Sequence, residues 1–278
     1  MIADRLQSTW AGDVPAVVLG MPSEDYHGAE GISASGLKRV LRSPAHYRYG
    51  RDVNTRAQHM GTAIHTALLE PERYAEEYVE LDVDDRRTKE AKEAEKQYGA
   101  ERVLKASEAE HIRGMQRAVW AHSKAQRQLQ ARGWTEVSVF AEDPETGATV
   151  RCRPDLLTEQ SVVLDLKKVR DARDRPMQRA VADYGYDLSA ALYCDAVYWA
   201  TGEQPAAYAL LCVEEEPPHG VRLLVLDDAW MERGRRLYRQ ALYTYAECMA
   251  TDSWPAYGDD LSVLEAPRWI ERAEEDAA

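Results

Sequence analysis

Arg151-Cys152-Arg153-Pro154-Asp155, followed by Val162-Val163-Leu164-Asp165-Leu166-Lys167, is the stretch that decides the fold. Side chains alternate along a strand, so Asp165 and Lys167 project from one face. The run over Ser161–Lys168 is apolar on both faces at its start, which reads as a central strand. Asp155 is expected to end the neighbouring strand, so two carboxylates and one ammonium converge at one edge of a sheet. Two close carboxylates repel unless a cation neutralises them, and oxygen donors suit Mg2+ or Mn2+. A lysine beside such an ion can orient a water for attack on phosphorus. Taken alone, Asp-x-Lys reads first as a surface salt bridge, since that pattern occurs by chance in most proteins.

Outward from this stretch, Trp134 to Ala141 alternates as one strand, Asp143-Pro144-Glu145-Thr146-Gly147 is a turn, and Ala148 to Arg153 is the returning strand of a hairpin. Ala206–Val213 and Val221–Leu226 read as further strands. Pro176–Tyr184 and Tyr186–Ala200 read as helices, and Asp227 caps a long amphipathic helix to about Met249. Upstream, Ala16–Leu19 is a short strand. Ser33 caps a helix to about Arg42, and Ser43-Pro44 starts another through Tyr49. Thr55–Glu70 is a longer helix closed by Pro71, and 85–131 is helical with breaks near Gly99 and Gly114. The fold class is α/β (α+β), a central mixed β-sheet flanked by helices with an N-terminal helical layer. Residues 1–30 form an arm, 31–270 one domain (31–131 helical, 132–226 sheet, 227–250 the long helix) and 271–278 an acidic tail.

The chain has 278 residues, with 35 basic and 48 acidic side chains and a formal net charge of −13. That balance argues against a generally basic nucleic-acid surface but leaves room for a local basic channel. No apolar run is long enough to span a bilayer, and Met1 to Trp10 has no signal-peptide pattern, so no membrane association is expected. Cys152, Cys194, Cys212 and Cys248 form no Cys-x-x-Cys pair, which speaks against zinc or iron–sulfur sites and for reduced thiols in the cytoplasm (the host's, if the chain is phage-encoded).

The Pro-Asp, ten-residue, Asp-x-Lys arrangement resembles the PD-(D/E)xK nuclease core. Gly61-Thr62-Ala63-Ile64-His65 is similar to the Gly-x-x-x-His motif of its RecB-like branch, where the histidine is a metal ligand. Outside that resemblance, His65 is a helix histidine making a polar contact. Ile32-Ser33-Ala34-Ser35-Gly36-Leu37, Ser43-Pro44-Ala45-His46-Tyr47 and Met60 through Pro71 look like the opening signature of RecE-type (exonuclease VIII-like) phage recombination nucleases. Trp254-Pro255-Ala256-Tyr257-Gly258 and Pro267-Arg268-Trp269 look like their C-terminal signature. The resemblance covers about residues 31–270. It implies a Mg2+-dependent exonuclease, with Mn2+ as the other candidate ion, resecting linear double-stranded DNA ends 5′ to 3′. It also implies a homo-oligomeric ring (tetramer or trimer) and a single-strand-annealing recombinase of the RecT type as partner. By the same resemblance Asp155, Asp165 and the Leu166 carbonyl hold one metal ion, and His65 completes that shell or helps to hold a second. Lys167 orients the water. Glu136 is a further ligand, an orienting group or an exposed strand glutamate. Tyr193 matches the tyrosine of the family's Gln-x-x-x-Tyr helix, to contact DNA or support Lys167, or is a core aromatic. Ser189 replaces that motif's glutamine.

Three segments could carry DNA to these acids. Residues 31–60 hold six basic residues, among them Lys38, Arg39, Arg42 and Arg48, against Asp52 alone; 111–134 hold five with no acid; 165–180 hold six against three acids. They flank the motifs as a phosphate-tracking channel requires, although solvated helix faces explain some of them. Ser33 and Ser35, near a helix start, are candidate phosphate contacts, and Arg153, Lys168 and Ser189 complete the candidate DNA-binding set. Two other readings stay open: an endonuclease or single-strand nuclease of the same superfamily, and a catalytically inactive DNA-end-binding or recombination scaffold.

Overall fold

The computed structural model describes residues 2–51, 55–259, 261 and 263–265. After a 3-10 turn (Ile2–Arg5) come β1 (Leu6–Gln7), β2 (Ala16–Val18), α1 (Ser23–Gly28), α2 (Ala34–Arg42), α3 (Pro44–Tyr49), α4 (Arg56–Leu69) and α5 (Pro71–Glu77). Then follow β3 (Val79–Leu81), α6 (Lys89–Tyr98), β4 (Val103–Lys105), α7 (Ala106–Ala121), α8 (Ser123–Leu129), β5 (Gly133–Thr135), β6 (Ser138–Glu142), β7 (Thr149–Cys152), β8 (Leu156–Thr158) and β9 (Val162–Val169). The chain continues through α9 (Asp174–Tyr184), α10 (Tyr186–Thr201), β10 (Ala207–Glu214), β11 (Val221–Val225) and α11 (Asp228–Thr251).

Local chemistry sets many of these boundaries. The Ser33 and Ser43 hydroxyls accept the Gly36 and His46 N–H groups, each at 3.3 Å, and Thr55 forms a reciprocal capping box with Gln58. Asp227 accepts the Trp230 N–H at 3.0 Å and starts α11. In the hairpin turn, the Asp143 carboxylate accepts the Thr146 N–H at 3.0 Å.

The main sheet has the order β11-β10-β9-β8-β5 and is mixed: β9 and β10 are parallel and the other pairs antiparallel. The β9 strand is central, as its two-faced apolarity requires. Val163 and Val169 pack into one buried cluster with Leu188, Ala191, Tyr238 and Leu242. Leu164 and Leu166 pack into another with Ile64, Ala67, Ile112 and Met115. The N-terminal helices therefore divide between two faces: α2 lies against α10 and α11, and α4 lies with α7. A second sheet, β1-β2-β6-β7, carries the hairpin against α10.

Several sequence expectations need correction. Trp134–Ala141 is not one strand. It breaks at Glu136, whose φ is +48°, so β5 joins the main sheet while β6 joins the hairpin sheet. Asp155 does not end the hairpin strand; it precedes β8, a three-residue strand too short to leave a periodic signal. Pro71 closes α4 but also opens α5, where a missing N–H costs nothing. The 85–131 region contains β4 as well as helices, and α7 runs unbroken through Gly114. That glycine is selected by packing, because a Cβ there would lie 2.4 Å from His219 Nε2. All four cysteines are free and buried. The Trp254 segment docks on α3 through the Ala45 N–H to Pro255 carbonyl bond at 3.0 Å. Pro267-Arg268-Trp269 and the acidic tail lie outside the described residues. Among the described residues, no helix is long and apolar enough to cross a membrane.

Candidate active site

The register of β8 on β9 builds the site. Leu156 pairs with Leu164 in antiparallel fashion, so Asp155, one residue before Leu156, faces Asp165, one residue after Leu164. Both are buried. Lys167 follows Asp165 on the same side of β9, and its Nζ forms an ion pair with Asp165 Oδ2. The intervening Leu166 N–H donates to Asp155 Oδ2 at 2.6 Å, fixing that carboxylate.

Two further groups close on Asp155. Burial of Ile64, Ala67 and Leu68 sets the rotation of α4. That rotation leaves His65 on the helix flank with its Nδ1 3.4 Å from Asp155 Oδ2. Glu136 sits in the left-handed kink between β5 and β6, and its N–H donates to the Asp155 carbonyl at 3.1 Å. One potential ligand atom each from His65, Glu136 and Asp155 lies within 4.8 Å of the others. The sequence left three roles open for Glu136, and its backbone kink is what brings it into the cluster. Beside it opens a cavity of about 680 Å³, bordered by Glu70, Arg73, Arg102, Trp134, Glu136 and Arg153.

The electrostatics are those of an acid cluster short of cations. Burial, then the Asp155 charge, pushes the Glu136 carboxyl up to about 7. Burial also raises Asp165, with Asp155 adding to it against the pull of Lys167. Burial opposes ionisation of Asp155 too, but His65, Lys167 and the Leu166 N–H together hold it below the usual carboxylate range. His65 is raised, because Asp155 outweighs the burial that would lower it. Lys167 is likewise raised, with Asp165 and Asp155 outweighing burial. The residues fit a hard divalent cation: one imidazole and two carboxylates are already convergent, and a proton favoured on His65 or Glu136 is what a cation would displace.

Other candidate residues are placed unevenly. Tyr193 is half-buried and edge-on to Tyr208 at 6.3 Å between centroids, and its pKa is raised by burial first, then by Tyr26 and Cys152, with Asp165 and Asp155 adding to it. The aromatic ring against Lys167 is instead that of Tyr186, 5.2 Å from Nζ, which the sequence reading missed. The available signal was spacing: Tyr186, Ser189 and Tyr193 stand at i, i+3 and i+7 on one helix face. The Ser189 hydroxyl turns back on its own helix, donating to the Gly185 carbonyl at 3.4 Å.

Ser33 spends its hydroxyl on capping, and Ser35 is exposed in the first turn of α2. Lys38 approaches the Tyr186 ring at 6.0 Å. Arg39 is half-buried, while Arg42 and Arg48 are exposed, Arg48 lying 5.6 Å over Trp254. Arg153 is half-buried on the border of that cavity, with part of its guanidinium committed to the protein. It donates to Ser138 Oγ at 2.6 and 3.0 Å and to the Met21 carbonyl at 2.9 Å. Lys168 points to the opposite face from Lys167 and pairs with Glu215 at 2.6 Å. Arg56 is bound to Glu108, and Arg113 and Arg117 to Glu110, so the basic count of their segments overstates the free positive charge.

Comparison with known proteins agrees with this fold. A family model described as a PDDEXK-like domain of unknown function (DUF3799) matches residues 33–267. A solved structure from Eubacterium rectale, named as a candidate exonuclease, is similar with a TM-score of 0.65 over 92% of this chain and 98% of its own, at 14% identity. A phage related exonuclease from Haemophilus somnus 129PT covers 82% of this chain and 99% of its own at 13% identity, with a TM-score of 0.37 that carries no weight for the fold. No curated protein matches.

Proposed function

Because the chain belongs to the PDDEXK-like family described as DUF3799, we propose that it is a Mg2+-dependent exodeoxyribonuclease. Its substrate is the end of linear double-stranded DNA, resected 5′ to 3′ for recombination by single-strand annealing. The observation that carries this reading is the convergence of His65, Glu136 and Asp155 within 4.8 Å, beside the Asp165–Lys167 pair.

Asp155, Asp165, Glu136 and His65 are the groups that would hold the cation, with the Leu166 carbonyl as the backbone donor. When bound, the ion supplies charge neutralisation at the scissile phosphate and at the leaving oxygen. Lys167, steadied by Asp165, donates a hydrogen bond that orients the attacking water. The Leu166 N–H keeps the Asp155 carboxylate aimed, and the buried setting of both aspartates strengthens each of these interactions. The exposed arginines of α2 and α3 offer phosphate contacts along the duplex. A closed oligomeric ring and a RecT-type recombinase partner complete the proposal.

Digestion of linear and covalently closed circular plasmid, with Mg2+ or with EDTA, tests it. Loss of the linear form alone, only with Mg2+, is expected. Lys167→Ala should lower the rate by about a hundredfold or more. Cleavage of the circle would point to an endonuclease, and undiminished activity of Lys167→Ala would remove the assigned site.

A further inference from the structure

Two lysines meet at one tyrosine. Lys167 Nζ lies 5.2 Å and Lys38 Nζ 6.0 Å from the centroid of the Tyr186 ring. The two cations differ in their anions: Lys167 is ion-paired with Asp165, whereas Lys38 has no carboxylate within ion-pair distance among the described residues. Its surroundings nevertheless hold it in place. Gly185, with φ +61°, joins α9 to α10, and a Cβ there would sit 3.1 Å from Lys38 Cε and 3.5 Å from Cδ. Bare backbone at that junction lets the lysine stem lie across it and brings the ammonium to the first residue of α10. An aromatic face attracts a cation but leaves its N–H groups without a hydrogen-bond acceptor.

We propose that Tyr186 is a shared seat for two cations. Lys167 stays on Asp165, while Lys38 donates to a non-bridging oxygen of the phosphodiester backbone beside the scissile group. This rests on the nuclease reading above and deepens it by adding a second lysine at the site and a residue that positions both. The Lys38 pKa is in keeping: burial first, then the charge of Lys167, brings it down to about 8 against the opposing pull of the more distant Asp165 and Asp187 carboxylates. The separation also has a physical purpose. Were Lys38 to pair with Asp165, it would compete with Lys167 for the carboxylate that steadies the water-orienting group.

The test uses the full chain, a duplex oligonucleotide, and four variants: Lys38→Met, Lys38→Arg, Tyr186→Phe and Tyr186→Leu. Lys38→Met should raise KM about tenfold with kcat changed less than about threefold, because it removes one charge-assisted phosphate contact. In Ca2+, replacing Mg2+ for binding without turnover, the dependence of log affinity on log salt should fall by about 0.7–0.9. Lys38→Arg should restore both. Tyr186→Phe keeps the ring and should retain most of the activity that Tyr186→Leu loses. Tyr186→Leu should lower kcat and raise KM together, because it unseats both lysines, and adding Lys38→Met to it should raise KM no further. Unchanged KM and salt slope in Lys38→Met would overturn the seat, as would equal loss in Tyr186→Phe and Tyr186→Leu. If wild type cut no DNA in Mg2+, the nuclease reading would fall by itself, and the salt slope in Ca2+ would still decide whether Lys38 binds phosphate.

Discussion

Replacing Glu136 by glutamine should make the metal-free protein more stable and the enzyme less active. Glu136 is half-buried, fixed through its backbone to the Asp155 carbonyl, and within 4.8 Å of the Asp155 and His65 ligand atoms. Its carboxyl is pushed up to about 7 from the usual 4.5, first by burial and then by Asp155. Folded Glu136 therefore keeps a proton between about 4.5 and 7 that the unfolded chain has already released. Stability is lost as pH rises through that window. At about 1.4 kcal/mol per pH unit, the full loss above pH 7 is about 3 kcal/mol. Glutamine has nearly the same shape and no charge to desolvate, so Glu136→Gln should recover most of this at pH 8 in EDTA. For a chain of this size that corresponds to a rise in melting temperature of about 4–8 °C. The gain should shrink to about 1 °C by pH 5, where the wild-type carboxyl is protonated in the fold. Mg2+ should stabilise wild type more than the variant, because the cation neutralises the charge that glutamine removes. Thermal melts of both proteins at pH 5, 6, 7 and 8, in EDTA and in Mg2+, give the whole pattern. A Glu136→Gln variant no more stable than wild type at pH 8 in EDTA, or a difference that does not change with pH, would refute the idea that this carboxylate is held ready for a cation.

The remaining predictions are simpler. His65→Ala should raise the Mg2+ concentration needed for half-maximal cleavage about 10- to 100-fold, read by titrating the metal in the nuclease assay. Gly114→Ala should cost about 1–3 kcal/mol in a urea melt, because its Cβ would stand 2.4 Å from His219 Nε2, so that the imidazole must leave its place beside the Glu214 carbonyl or α7 and the β10–β11 hairpin must shift. Its nuclease activity below the melting range should be unchanged, since the substitution lies away from Asp155 and Lys167.

Periodic elements were readable from their residues alone. The two-sided apolar run of β9, the capped start of α4 and the long amphipathic α11 each carry a repeat or a cap that local physics enforces. Where the sequence misled, the cause was a local exception or a short element. Glu136 takes a left-handed backbone conformation that no neighbouring glycine announces, so an apparent single strand becomes two strands in two sheets. β8 is three residues long, so the true neighbour of β9 left no pattern.

For the candidate site, the sequence by itself determined the groups on offer: two aspartates and a lysine at fixed spacing on and beside one strand, with a histidine on an upstream helix. Strand alternation alone puts Asp165 and Lys167 on one side, and β-structure offers no other arrangement. Only the tertiary structure decided which groups meet. The antiparallel register of β8 brings Asp155 opposite Asp165; the kink at Glu136 adds a third carboxylate; and the start of α10 places Tyr186, not Tyr193, against Lys167. It also separated free from committed charge. Among the described residues Lys38 stands beside Tyr186 with no carboxylate within ion-pair distance, while Lys168, Arg56, Arg113 and Arg117 are paired elsewhere. Composition counts charges along the chain, but their use depends on distances between segments far apart in sequence, and those distances are set by packing.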